Sequence, residues 1–231
     1  MSFVVTPPAI PSIPVVGESA RFPIHRMYCV GRNYEEHAKE MGHTGREAPF
    51  FFMKPADAAL VAEAGQTVAM PYPTLTSNLH HEVELVVAIG KGGANIAAAN
   101  ALQHIYGYAV GLDMTRRDLQ NEMKKQGRPW CIGKGFDFSA PIGPITPAAQ
   151  VPAIHSAAIA LQVNGQERQR STIAKLIWNI AETIEQLSAA WTLQPGDLIF
   201  TGTPEGVGAV VRGDVLLASV EGLQPLHVQL V

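Results

Sequence analysis

Residues 79–89 read LHHEVELVVAI, an apolar run headed by two acids, Glu82 and Glu84. As a strand, this stretch puts Glu82 and Glu84 on one face and Val83, Leu85 and Val87 on the other, because side chains alternate. Strand rise separates the two acidic Cα atoms by about 6.6–6.8 Å. Two carboxylates that close, at the edge of a core, repel and lose hydration. One carboxyl holds a proton, a cation bridges the pair, or the face is solvated.

The rest of the chain favours short strands. MYCVG (27–31), FFFMK (50–54), LVVAIGKGG (85–93) and YGYAVGLD (106–113) read as strands, and two more close the chain near 214–220 and 225–231. Asn164-Gly165 sits between alternating segments and predicts a tight hairpin over 158–169. Helices are few. One is expected at 33–42, capped by Asn33 and ended by Gly42, and others at 94–105 and 115–127. A longer one is expected at 171–191, where Ile173, Leu176, Ile177, Ile180, Ile184 and Leu187 share a face. Prolines 7, 8, 11, 14 and 23 exclude helix from residues 1–24, which read as an extended arm before a single domain at 25–231. Hairpins and long crossovers with few helices make the class α+β, mostly β.

With 231 residues, 47% of them hydrophobic and only 16% charged, one large domain has ample material for a core. A net charge of -3 gives no electrostatic ground for nucleic acid or an anionic membrane as partner. No apolar run approaches the ~20 residues of a spanning helix. Cys29 and Cys131 match no metal or redox spacing and read as free thiols of a reducing cytosol. The first basic residue is Arg21, so no basic leader opens the chain, and a cytoplasmic location is expected.

Asp113 ends the strand YGYAVGLD. If its strand end meets that of Glu82 and Glu84, three carboxylates face one point, a hard oxygen set suited to Mg²⁺ or Mn²⁺. An exposed strand face would produce the same E-x-E pattern. His80 and His81 read as hydrogen-bonded strand-end histidines rather than zinc ligands, since the nearby acids suit a harder ion. His37 and Glu40, three apart on the first helix, face the same way and suit water activation, or else a solvated face. Arg117 and Gln120 follow Asp113 with the same spacing. Lys134, between two glycines in IGKGF, reads as a flexible cation able to meet a developing oxyanion or else as only a loop lysine, and Lys54, before Pro55, is similar. TGTPEGVG offers backbone N–H groups and two hydroxyls, but lacks the glycine-lysine-serine end of a phosphate-binding loop.

Seven segments together resemble the fumarylacetoacetate hydrolase family: YCVGRNYEEHAKE, FFMKP, LHHEVEL, GYAVGLDMTRRDLQ, GRPWCIGKGFD, LQVNG and LQPGDLIFTGTPEGVG. They run in family order from about residue 27 to about 220. The resemblance implies a mixed β-sandwich roll of the family's C-terminal-domain type, usually a homodimer, that holds Mg²⁺ or Mn²⁺. Glu82, Glu84 and Asp113 match the metal ligands, and His37 with Glu40 the water-activating pair on a lid helix. Arg117, Gln120, Lys134 and Thr203 match substrate and oxyanion contacts, with Lys54 a further contact. Without the long N-terminal domain of the two-domain enzymes, the chain is most similar to the short acylpyruvate-cleaving branch. That implies a 2,4-dioxo acid as substrate, with fumarylpyruvate cut to fumarate and pyruvate in aromatic-compound catabolism. Oxaloacetate decarboxylation and meta-cleavage-pathway isomerisation or hydration are alternatives on the same scaffold, and a binding protein with a structural metal is an alternative of another class.

Overall fold

In the strand Val83–Ile89 the run from Leu85 onward is apolar without interruption because both faces of the strand are covered. Val83, Leu85, Val87 and Ile89 join Val110 and Leu112 in one core, against Ile159, Leu161, Leu216 and Ala218 of a second sheet. Val86 and Ala88 point the other way, into a core with Met27, Cys29, Phe200 and the N-terminal residues Ile13 and Phe22. Each aliphatic side chain fully buried this way contributes about 1.5–3 kcal/mol.

The computed structural model describes residues 2–36 and 46–231. Its largest sheet is eight-stranded and mixed. Phe50–Lys54, Met27–Gly31, Leu198–Phe200, Val83–Ile89, Ile105–Leu112, Ala140–Ile142 and Ala59–Val61 lie side by side, and Thr146–Pro147 pairs with Ile105–Leu112. A five-stranded sheet packs across it: Gln166–Thr172, Ala158–Val163, Val215–Val220, Leu226–Leu230 and Thr67–Met70. Leu79–His81 anchors a small third sheet between Thr115–Arg116 and Gly208–Val210. Ser12–Pro14 and Arg21–Pro23 form a hairpin over the second core. The expected mostly β class and the roll of packed sheets are what the chain adopts.

Strands at 27–31 and 50–54, the Asn164-Gly165 hairpin and the two C-terminal strands fall where the sequence puts them. The helices are shorter than expected. Within 94–105, only Ala98–Ala101 is α-helical, followed by a 3₁₀ turn at Leu102–His104. Tertiary bonds claim the start of that segment: Ser188 accepts from Asn95 and Ile96, and Glu185 from Ala98. The helix expected at 171–191 spans only Ile180–Ala190. Asn179 and Glu182 form a capping box at its start, and upstream Gln166–Thr172 remains in the sheet. In the helix Arg117–Lys125 the expected first two residues pair instead with Leu79–His80. The helix expected at 33–42 lies largely outside the described residues. Asn33 spends its amide elsewhere than on a cap, donating to Trp178 and Thr201 carbonyls at 2.9 and 2.8 Å and accepting from Trp178 N–H at 2.7 Å.

Candidate metal centre and active site

Register brings the acids together. Strands Val83–Ile89 and Ile105–Leu112 are antiparallel, with Val83 opposite Leu112 and Glu84 opposite Gly111. One step further, Asp113 N–H donates to the Glu82 carbonyl at 2.9 Å. Residues facing each other across an antiparallel pair share a side of the sheet, so Asp113 joins the face already carrying Glu82 and Glu84. Gly111 puts no side chain opposite Glu84. Carboxylate oxygens of Glu82, Glu84 and Asp113, all buried, lie within 4.8 Å of one another.

Cations gather on two of these acids. Lys134 Nζ donates to Glu82 Oε2 at 2.8 Å, Asp113 Oδ2 at 2.7 Å and Thr115 Oγ1 at 2.7 Å. Burial alone would lower the Lys134 pKa, but Asp113 and Glu82 outweigh it and hold the ammonium above its ordinary range. Arg117 bonds Glu82 through Nη2, while its Nη1 donates to Gln120 Oε1 at 2.5 Å. With its oxygen thus engaged, the Gln120 amide has its N–H groups left to offer the cavity. Lys54 Nζ lies 2.8 Å from Asp113 Oδ1, out of line for a hydrogen bond, and donates to the carbonyls of Met114 and Lys134.

Glu84 differs. Among the described residues it forms no ion pair, and its one bond comes from Gly202 N–H at 2.7 Å. Burial pushes its carboxyl well above the ordinary carboxylate range, and Asp113 and Glu82 add like-charge repulsion. A buried all-carboxylate set, with Asp113 Oδ1 lacking a hydrogen bond and Glu84 in no ion pair among the described residues, fits a hard divalent cation.

Arg117, Gln120, Lys134 and Thr203 line one cavity with the three acids, walled by Phe50, Phe52 and Trp130. Lys54 sits behind Asp113, outside that lining. Lys134 is no flexible loop cation: it ends the short helix Cys131–Lys134 and is buried. Gly133 lets that helix lie against Gln120, where a Cβ would come 2.9 Å from the Gln120 nitrogen. Thr203 Oγ1 accepts from Gln169 Nε2 at 2.8 Å. His37 and Glu40 lie outside the described residues.

Both strand-end histidines are hydrogen-bonded. His80 Nε2 pairs with Asn78 Oδ1 at 2.9 Å, and Arg117 Nε donates to its Nδ1 at 3.4 Å. Burial and then the Arg117 charge lower His80 to about 4, so the ring is neutral. His81 Nδ1 pairs with Gln169 Oε1 at 3.0 Å. Sequence reasoning passed over Thr115 and Gln169, and it noted the backbone N–H groups of TGTPEGVG without singling out Gly202. Thr115 was within reach, since it repeats the two-residue spacing after Asp113. Gln169 and Gly202 reach the site only through tertiary approach.

Residues 26–231 match the family model "Fumarylacetoacetate (FAA) hydrolase C-terminal". The chain belongs to the fumarylacetoacetate hydrolase family. Among solved family structures, fumarylpyruvate hydrolase from Pseudomonas aeruginosa, in complex with Mn²⁺ and pyruvate, superposes with TM-score 0.98. It is 56% identical, covering 100% of this chain and 99% of that one. A fumarylpyruvate hydrolase of Ralstonia sp. is 51% identical over 177 residues, 77% of this chain and 90% of that protein. A mitochondrial oxaloacetate tautomerase of Rattus norvegicus is 44% identical over 195 residues, 84% of this chain and 86% of that protein.

Proposed function

We propose that this family member is a metal-dependent C–C bond hydrolase acting on a 2,4-dioxo acid, with fumarylpyruvate, cleaved to fumarate and pyruvate, as its substrate. The observation that carries the reading is the convergence of Glu82, Glu84 and Asp113 in a cavity whose other walls are Arg117, Gln120, Lys134 and Thr203. The likeness to two fumarylpyruvate hydrolases narrows the acyl group. The domain at 25–231 carries the reaction behind an N-terminal arm at 1–24. A cytoplasmic homodimer working in aromatic-compound catabolism is the setting that the family suggests.

Glu82, Glu84 and Asp113 would hold Mg²⁺ or Mn²⁺, which would supply Lewis acidity toward the substrate's oxygens. Everything else falls to side chains. Arg117 braces Glu82 and turns the Gln120 amide so that its N–H groups face the substrate. His37, polarised by Glu40, takes a proton from water as the oxygen attacks the distal carbonyl. Gln120, and Lys134 on releasing one of its three bonds, donate to the oxyanion that forms there, while Thr203 holds the substrate's carboxylate end and Lys54 keeps Asp113 in place. Collapse of the oxyanion breaks the C–C bond. The acyl half leaves as fumarate, and the three-carbon half takes up a proton to become pyruvate.

Loss of fumarylpyruvate absorbance, followed with and without chelator beside acetylpyruvate and oxaloacetate, tests this. Turnover is expected to stop in metal-stripped enzyme and in Glu82→Gln and Asp113→Asn. Full activity after stripping would defeat the reading. A second reading, proton transfer or decarboxylation on oxaloacetate, is favoured by the likeness to the rat tautomerase. It predicts conversion of oxaloacetate with no cleavage of fumarylpyruvate.

A further inference from the structure

Arg32 has no part in the chemistry above, yet it lines the same cavity as the acid triad. Its backbone is left-handed, with φ 55, a conformation that a residue with a side chain seldom adopts. Both neighbours hold it there: Gly31 closes the strand Met27–Gly31, and buried Asn33 is fixed by its three bonds to Trp178 and Thr201. The guanidinium carbon lies 5.2 Å from the centre of the Phe50 ring. Arg32 Nε is buried with no hydrogen-bond partner, and among the described residues the side chain enters no ion pair.

Among the described residues, the cations that touch the triad are committed. Arg117 and Lys134 are bonded to Glu82, and Lys134 and Lys54 lie against Asp113. Arg46 is 2.7 Å from Glu182 Oε1 and stacks 4.1 Å from the Trp178 ring. A half-buried guanidinium without a partner is costly to hold in one place, and its planar fork matches a carboxylate. Phe50 and Trp130 meet edge to face at 5.4 Å beside it, giving flat apolar walls to a conjugated, planar acyl arm.

We propose that Arg32 recognises the distal carboxylate of a dicarboxylic substrate, the acyl arm running along Phe50 and Trp130 from the triad to the guanidinium. This deepens the reading of the chain as an acylpyruvate hydrolase and rests on it. An acetyl group, which has no charge at that end, gains nothing from Arg32. The test compares kcat/KM for fumarylpyruvate and acetylpyruvate in the Mn²⁺-loaded wild type, Arg32→Lys and Arg32→Asn, since asparagine tolerates the left-handed backbone. In Arg32→Asn the value for fumarylpyruvate is expected to fall by roughly 10–100-fold, the worth of a hydrogen bond to a charged group, mainly through KM. Acetylpyruvate turnover should stay within about two-fold, and Arg32→Lys should recover part of the loss. A parallel fall on both substrates, or no fall on either, would overturn the assignment. If the wild type cleaves neither substrate, the functional reading fails by itself. Calorimetry of fumarate binding to the Mn²⁺-loaded proteins then decides the subsite without turnover: weaker binding by Arg32→Asn sustains it, and equal binding overturns it.

Discussion

Gly202 shows how much of this site hangs on one backbone position. At φ 102 its N–H points to Glu84 Oε2, and a Cβ there would come 2.7 Å from the Asn33 Cβ. Gly202→Ala therefore combines a disfavoured conformation with a clash, for an expected cost of about 1–3 kcal/mol. For a chain of this size each kcal/mol lowers Tm by roughly 2–4 °C. Because relieving that clash moves the N–H off Glu84, the acid's single hydrogen bond weakens, and Mn²⁺ affinity measured by calorimetry should weaken with it. An unchanged Tm and an unchanged affinity would mean that the loop absorbs the methyl group. The acids themselves were legible in the sequence, since their two-residue spacing fixes a shared face. The sequence shows that TGTPEGVG offers backbone N–H groups, but not that the one at Gly202 meets Glu84 more than a hundred positions away, because that depends on a left-handed turn and on Asn33 beneath it.

Among the elements, the helix Arg117–Lys125 bears the most weight, carrying Arg117 and Gln120. Asp118, in its first turn, ties it to the distant loop at Thr76 and Ser77. The carboxylate accepts from Thr76 Oγ1 at 2.6 Å, Ser77 N–H at 3.1 Å and Leu119 N–H at 2.9 Å. Burial would raise its pKa, but these bonds outweigh burial and hold it below the ordinary value. A carboxyl depressed in the folded state stabilises above its unfolded pKa of about 3.9, and that contribution is lost as pH falls through the folded value. Asp118→Asn should thus cost about 1 kcal/mol at pH 7, in the range of a lost helix cap. The cost should shrink below about pH 4. Urea melts at several pH values check this; a difference constant from pH 7 to pH 3 would assign the loss to shape instead of charge. Element type was readable wherever local pattern decides it, as at Asn164-Gly165. It was misread where remote groups claim backbone N–H groups, as Ser188 and Glu185 do at 95–98.

On the scale of the whole molecule, the eight-stranded sheet and a short helix bring residues from distant parts of the chain to one buried point. Strand 83–89 brings Glu84, with Glu82 just before it; the end of 105–112 brings Asp113; and the helix Cys131–Lys134 brings Lys134. Folding without a metal must then desolvate three acids together, and Glu84 does so with no ion pair among the described residues. A cation that binds only the folded chain repays this by mass action, about 2.7 kcal/mol at a hundred times its Kd. At that excess Mn²⁺ should raise Tm by roughly 5–10 °C, and a chelator should reverse the rise. Lys134→Met sharpens the test, because it strips Glu82 and Asp113 of the ammonium that they share. Its penalty should be about 3–5 kcal/mol in chelated protein, the cost of breaking a buried pair. With Mn²⁺ loaded the penalty should be smaller, since the same carboxylates then face a divalent charge. Equal penalties in the two states would show that the metal and the ammonium do not act on the same acids.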